Sequence, residues 1–464
     1  MVEVKNPEQL KQNPVAVPVK NNPLARLANF FAQMAEKWLP DAFVFAILLT
    51  VIAFVAGIVF TDAGPFDMLL YWGDGFWALL TFTAQIITTF VMSFALALTK
   101  PVSRTLESIA SKCKTPTSAI LLVTFTALGA SLISWAFGLV VAGIMAKLVG
   151  RKVPDVDYRV LVAAGYSGFI IWEGGLSSSP ALFVATAGHV FEGEIGIIPI
   201  TETLLSAVNI AIVTIIFLTL PFVMRLIHPK NPADRYIIDP VLLNDQEEEE
   251  KPTESVNNPN DKIEKSRLIP LIGGFLGLSY LVNHFFTNGF ALDLNTVNLM
   301  FLTAALLLFS NVRELADGLL KSVSSVGQFV LQYPFYAGIM GMLAASGLAV
   351  LLANFFIDIS TAKTLPLWTF LSAGLLNIFI PSGGGQWAVQ APIVVPAALE
   401  MGVEPAKVVM AVAWGDAWTN MIQPFWAIPL LAIAGLKIRD IMGYTLVALL
   451  YSGVVIAACM MLFS

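Results

Sequence analysis

Apolar positions along this chain run in long uninterrupted blocks. Helices crossing a hydrocarbon core of about 30 Å need roughly 20 apolar residues. Blocks of that kind fall near 43–60, 76–99, 160–190, 203–227, 268–286, 294–310, 329–353, 408–434 and 441–463. The pattern predicts about nine full transmembrane helices. Ahead of the first, Leu24 to Leu39 spaces its apolar residues for an amphipathic helix, expected to lie flat on the membrane surface. The first long block begins near Phe43, too late and too poorly framed for a cleaved signal peptide, so the mature protein is expected to keep every span.

Two stretches, 118–149 and 365–399, do not fit a single crossing, and the basic residues say how they run. With the N-terminus in the cytoplasm, 24 of the 26 Lys and Arg residues fall on the inner side, leaving Lys363 and Lys407 outside. That tally requires 118–149 to enter and leave from the cytoplasm, and 365–399 to do so from outside. Both are therefore expected to be re-entrant helical hairpins of opposite orientation. The fold class expected is an all-α polytopic membrane protein built from inverted repeats.

Four segments follow: a cytoplasmic N-terminus over 1–42, a first membrane repeat over 43–227, an acidic cytoplasmic linker over 228–267, and a second membrane repeat over 268–464. The linker holds the run Glu247 to Glu250 and several prolines. Its composition cannot bury a core and is expected to stay flexible. TFTALGASLISWAFG (124–138), VAAGYSG (162–168) and SSSPALFVATAG (177–188) in the first half correspond to TFLSAGLLNIFIPSGG (369–384), VAWGDAW (412–418) and WAIPLLAIAG (426–435) in the second. Interrupted apolar segments at matched places in two halves are a pointer to a transporter binding site.

Composition narrows the function. With 57% hydrophobic and 12% charged residues, the chain is no soluble enzyme. A net charge of −6 with no basic patch argues against nucleic acid. Cys113 and Cys459 are far apart, and His189, His228 and His284 are scattered, so neither a metal site nor a His-based triad is expected. No phosphate-binding G-x-x-x-x-G-K-[ST] run occurs, which counts against ATP-driven transport within the chain. No cofactor is expected beyond a coupling H⁺ or Na⁺.

Candidate chemistry lies where helices break at membrane depth, because irregular backbone is tolerated there only inside protein or beside water. The tip Pro381-Ser382-Gly383-Gly384-Gly385-Gln386 exposes backbone N–H groups ahead of a helix start, which suits a carboxylate. Ser177, Ser178 and Ser179 would add hydroxyl donors from the other repeat. Asn377, Asn420 and Gln423 are further polar candidates for the substrate. Glu173 and Asp416 are intramembrane acids, each costing about 2.5–3.5 kcal/mol at the bilayer centre, and are the candidates for ion coupling. The plainer readings remain open: glycines permit close packing, Asp416 caps a broken helix, and Trp135, Trp172, Trp387, Trp414, Trp418 and Trp426 pack rather than wall a cavity.

The runs WEGGLSSSPAL (172–182), PSGGGQWAVQAPIVVPAA (381–398) and GDAWTNMIQPFWAIPLL (415–431) resemble the short-chain fatty acid transporter family, over almost the whole chain. The acidic linker has no match in that resemblance. It implies a bacterial inner-membrane carrier for acetoacetate, butyrate and related acids, within a superfamily of inverted repeats that form dimers and work by an elevator motion. The expectation is an ion-coupled secondary carrier of short-chain monocarboxylates. A C4-dicarboxylate carrier or Na⁺/H⁺ exchanger of the same architecture, an intramembrane enzyme using Glu173 and Asp416, and a passive channel are the alternatives.

Overall fold

The computed structural model describes residues 23–38, 40–189, 191–239, 243, 259–289, 292, 294–323 and 327–463. Among these the secondary structure is helical, without strands. The first half contains α1 (Pro23–Trp38), α2 (Ala42–Phe60), α3 (Pro65–Gly75), α4 (Leu80–Leu98), α5 (Lys100–Ser111), α6 (Pro116–Ile133), α7 (Trp135–Lys152), α8 (Tyr158–Ser167), a 3-10 segment (Gly168–Gly174), α9 (Ser179–Val184), α10 (Glu192–Ile195) and α11 (Ala207–Ile227). After α12 (Pro259–Glu264) come α13 (Leu268–Asn288), α14 (Leu294–Leu308), α15 (Val312–Val323), α16 (Gly327–Ala345) and α17 (Leu348–Asp358). The chain ends with α18 (Leu365–Asn377), α19 (Gly383–Glu400), α20 (Pro405–Thr419), α21 (Pro424–Ala434) and α22 (Ile438–Leu462).

Six helical segments among the described residues are long and apolar enough to cross a membrane, and eight if each of two bent pairs counts as one span. The protein is an all-α, multi-pass membrane protein. Seven of these match expected crossings, the eighth, Pro116–Ile133, is an arm of the stretch expected as a hairpin, and the two expected crossings that are missing have local causes. The run 294–310 forms a helix of 15 residues, short of a full span. The run 408–434 is divided between α20 and α21, because Pro424 opens a new helix at position N1 and Gln423 caps it.

An order of elements recurs in the two halves. α4 and α5 bend by 71°, and α16 and α17 by 63°. Each bent pair is followed by two helices packed against each other, α6 with α7 and α18 with α19. A broken helix comes next, then a long apolar span, α11 or α22. The halves also exchange contacts: α9 lies against α19 and α20, while α21 lies against α7.

The structure adds detail at the periphery. α1 forms where expected, up to the undescribed Leu39, and one of its faces is packed against protein. Its small face, Ala25 and Ala28, is buried, and a Cβ on Gly443 of α22 would meet the Ala32 backbone at 2.1 Å. Leu27, Phe30, Met34 and Trp38 form its exposed apolar side. The linker is not free from its start either. The buried Asp157 carboxylate accepts the N–H groups of Val160 (3.0 Å) and Tyr236 (2.9 Å), and the Asp157 N–H donates to His228 Nε2 (3.1 Å). Arg235 donates to the Asp155 carbonyl (2.9 Å), and Arg159 lies over the Tyr236 ring. Residues 228–239 are thus pinned to the α7–α8 loop, which average composition could not reveal. The run Glu247 to Glu250 lies outside the described residues.

Candidate functional site

The site is assembled from three breaks. At the first, Ser134 is extended between α6 and α7, and the Trp135 N–H that opens α7 donates to Ser177 Oγ (2.9 Å). The arms are close: a Cβ on Gly138 would lie 2.1 Å from Ser131 Oγ.

At the second break, the 3-10 segment carries Glu173 inward with no exposed surface. Its Oε2 accepts the Ser178 hydroxyl (2.6 Å) and the Ser179 N–H (2.9 Å). Its Oε1 has no hydrogen-bond partner. Gly175 is required by backbone proximity, since a Cβ there would sit 2.5 Å from the Leu132 carbonyl oxygen. The Leu176 N–H donates to that same oxygen (2.8 Å).

At the third break, Ser382 caps the 18-residue α19 and accepts the Gly385 N–H (3.2 Å). A Cβ on Gly383 would meet Glu173 Oε1 at 2.4 Å and Ser179 Oγ at 3.2 Å. Gly384 has open space instead. The tip of the second helix pair therefore abuts the broken helix of the first half, and the acid between them is Glu173.

A cavity of about 410 Å³ opens at this junction. Ser177, Ser178, Ser179 and Gly384 are among its walls, with Trp135, Phe183, Thr186, His189 and Gln85. Four of the sequence candidates thus share one space. Their chemistry suits an anion: hydroxyl and backbone N–H donors beside the start of a long helix, with apolar surface from Trp135, Leu182, Phe183 and Leu292 around them.

The remaining candidates stand behind that wall. Asn377 Nδ2 reaches the Asp416 carbonyl (2.8 Å), Thr419 Oγ1 (2.9 Å) and Asn420 Oδ1 (2.8 Å). The Asn420 carbonyl accepts the Tyr166 hydroxyl (2.6 Å). Gln386 Nε2 donates to the Ala373 carbonyl (2.7 Å) and Gln423 Nε2 to that of Ile378 (2.7 Å). These amides tie broken backbone together, and none is among the cavity walls. Asp416 is fully buried, and neither of its carboxylate oxygens makes a hydrogen bond of good geometry. Glu173 Oε1, both Asp416 oxygens, Asn377 Oδ1 and Gln386 Oε1 are each buried acceptors without a well-formed hydrogen bond.

Sequence reading missed two residues here. Asn209 of α11 donates to the carbonyls of Gly174 (3.1 Å) and Leu204 (2.7 Å) and accepts Trp414 Nε1–H (2.9 Å). An asparagine near the start of an apolar span was the available signal. His189, set aside as one of three scattered histidines, is a cavity wall. Of the tryptophans, Trp135 reaches the cavity and packs edge-on to Trp426, and Trp172 stacks on Phe169. Trp414 and Trp418 spend their N–H groups on Asn209 and the Leu449 carbonyl.

The family model described as short chain fatty acid transporter matches residues 23–463. A relative from Escherichia coli (strain K12), named "Putative short-chain fatty acid transporter", is 43% identical over 95% of this chain and all of its own length. One of the same name from Haemophilus influenzae is 39% identical over 92% of this chain and 97% of its own. Among solved structures, the Alcanivorax borkumensis YdaH transporter aligns with a TM-score of 0.48 at 17% identity, covering 94% of this chain and 97% of that one. Neisseria gonorrhoeae MtrF aligns with a TM-score of 0.44 at 16% identity, covering 92% and 97%.

Proposed function

The chain belongs to the short-chain fatty acid transporter family, and from that premise we propose that it is a secondary carrier moving butyrate- or acetoacetate-like monocarboxylates across a bacterial inner membrane, driven by H⁺ or Na⁺. The observation that carries this reading is the shared cavity: Ser177, Ser178 and Ser179 from one half face Gly384 from the other. The carboxylate would sit against those hydroxyls and the first N–H groups of α19, and the alkyl part against Trp135, Leu182 and Phe183. The walls among the described residues include no Lys or Arg, which favours one carboxylate over two.

Glu173 and Asp416 are the proposed coupling acids. Glu173 lies one hydroxyl away from the cavity through Ser178, so occupancy by substrate and by ion would be felt through the same hydrogen bond. The recurring order of bent pair, helix pair and broken helix supports inverted repeats, with the N-terminus in the cytoplasm by the charge tally and dimerisation by family resemblance.

Uptake and counterflow in proteoliposomes test this, using labelled butyrate, acetoacetate and succinate with Na⁺ and pH varied separately. Concentrative butyrate uptake that follows one ion gradient is expected. Counterflow with succinate alone, or ion exchange without any organic acid, would overturn the assignment.

A further inference from the structure

A second cavity, of about 330 Å³, lies where α2 and α22 begin. Its walls include Asp41 ahead of α2, Lys437 and Arg439 at the entry to α22, and Ile428, Leu431 and Ala432 of α21. Both helices that start here are apolar over a full span, 19 and 25 residues long. Their first turns mark the level at which hydrocarbon gives way to water, so the cavity lies at the depth of lipid headgroups. Trp38, exposed at the end of α1 just before Asp41, suits the same level.

The charges at this place are unequally occupied. Asp41 Oδ1 accepts the Phe43 N–H (3.0 Å) and caps α2. Asp440 Oδ2 accepts the Lys437 N–H (2.8 Å). The side chains of Lys437 and Arg439 are exposed, and among the described residues neither forms an ion pair. The start of the long helix α22 adds positive potential beside them. Two accessible cations thus border a cavity whose other wall is aliphatic.

We propose that this cavity binds an anionic phospholipid. Lys437 and Arg439 hold the phosphodiester, and the upper part of an acyl chain lies against Ile428, Leu431 and Ala432. Basic pockets between transmembrane helices recognise headgroups through this combination of charge and depth. Free phosphate fits less well, because it would fill only part of the volume and leave the aliphatic wall uncovered. The bound lipid would bridge the α2 entry in the first half of the chain to α21 and α22 in the second.

The test is native mass spectrometry of the purified full-length protein titrated with phosphatidylglycerol or phosphatidylcholine. Wild type is compared with three folded variants: Lys437→Gln/Arg439→Gln, Ala432→Trp and Lys265→Gln/Arg267→Gln. The last removes two exposed basic residues at the start of α13, matching the charge change at another span. One phosphatidylglycerol should bind wild type ahead of the rest, and more tightly than phosphatidylcholine. Each basic residue near an anionic headgroup is worth about fivefold in affinity, so the Lys437/Arg439 variant should lose about twenty-five-fold. Ala432→Trp should evict the same molecule by filling its space, while the α13 variant keeps it. Equal losses in the two charge variants, retention in Ala432→Trp, equal affinity for both lipids, or displacement by equimolar inorganic phosphate would each overturn the proposal.

Discussion

Gly383 and Glu173 are in contact across the two halves of the chain: a single methyl group on the glycine would fall 2.4 Å from the carboxylate oxygen Oε1. The adjacent Gly384 has nothing within 4 Å of the same imagined atom. Two neighbouring glycines therefore serve different ends, one letting backbone approach an acid and the other leaving room in a cavity.

Substitution should separate them. Gly383→Ala must displace Glu173 and is expected to cut uptake at least tenfold. Gly384→Ala should retain most activity, and Gly384→Leu should fill the cavity and abolish uptake with normal membrane insertion. Labelled butyrate uptake, scaled to the amount of folded protein by size-exclusion chromatography, reads all three. Normal uptake by the leucine variant would count heavily against the cavity.

Coupling gives a second expectation. Glu173→Gln keeps the size and the Oε2 acceptor but removes the exchangeable acid, so counterflow should survive while gradient-driven accumulation collapses. Asp416→Asn provides the comparison. If accumulation and its pH dependence persist in Glu173→Gln but fail in Asp416→Asn, the coupling role passes to Asp416.

Asn209 should behave as a brace. Asn209→Leu orphans two carbonyls and the Trp414 N–H, a cost of about 1–3 kcal/mol for each buried group left unpaired. A lower melting temperature in detergent is expected, without any change in which acids compete for uptake. A changed substrate preference would give Asn209 a direct role.

The docked start of the linker should be acid-sensitive. Burial, then the nearby Arg235, hold His228 down to about 4, partly offset by Asp155. A histidine depressed in the fold contributes fully above its ordinary range near 6.5. That contribution is lost as pH falls from there towards 4, when protonation also removes the acceptor for the Asp157 N–H. Limited proteolysis within 228–239 should rise over that window, and His228→Gln should flatten the rise. Cleavage independent of pH in the wild type would refute this.

How much of this was legible beforehand depends on the distance over which each feature is encoded. Apolar blocks and breakers act within one or two helical turns, so 118–149 and 365–399 were readable as interrupted segments, and they form α6 with α7 and α18 with α19. Ser177 to Ser179 and Gly383 to Gly385 were recognisable as interruptions at membrane depth, but not that Gly383 would serve close approach to Glu173 while Gly384 and the serines line a cavity. The run 408–434 was readable as broken but not as two helices.

The sequence by itself determined that this chain must bury its backbone polar groups in helices, where those helices fail, and which acids cost most to bury, since hydropathy, proline and glycine act locally. Only the tertiary structure decided that Glu173 meets Gly383, that Asn377, Gln386 and Gln423 brace backbone instead of facing the cavity, that Asp157 clamps the linker, and that His189 stands at the wall. Those pairings join residues far apart in the chain or turn on which face a short helix shows, and neither periodicity nor composition records the packing that brings them together.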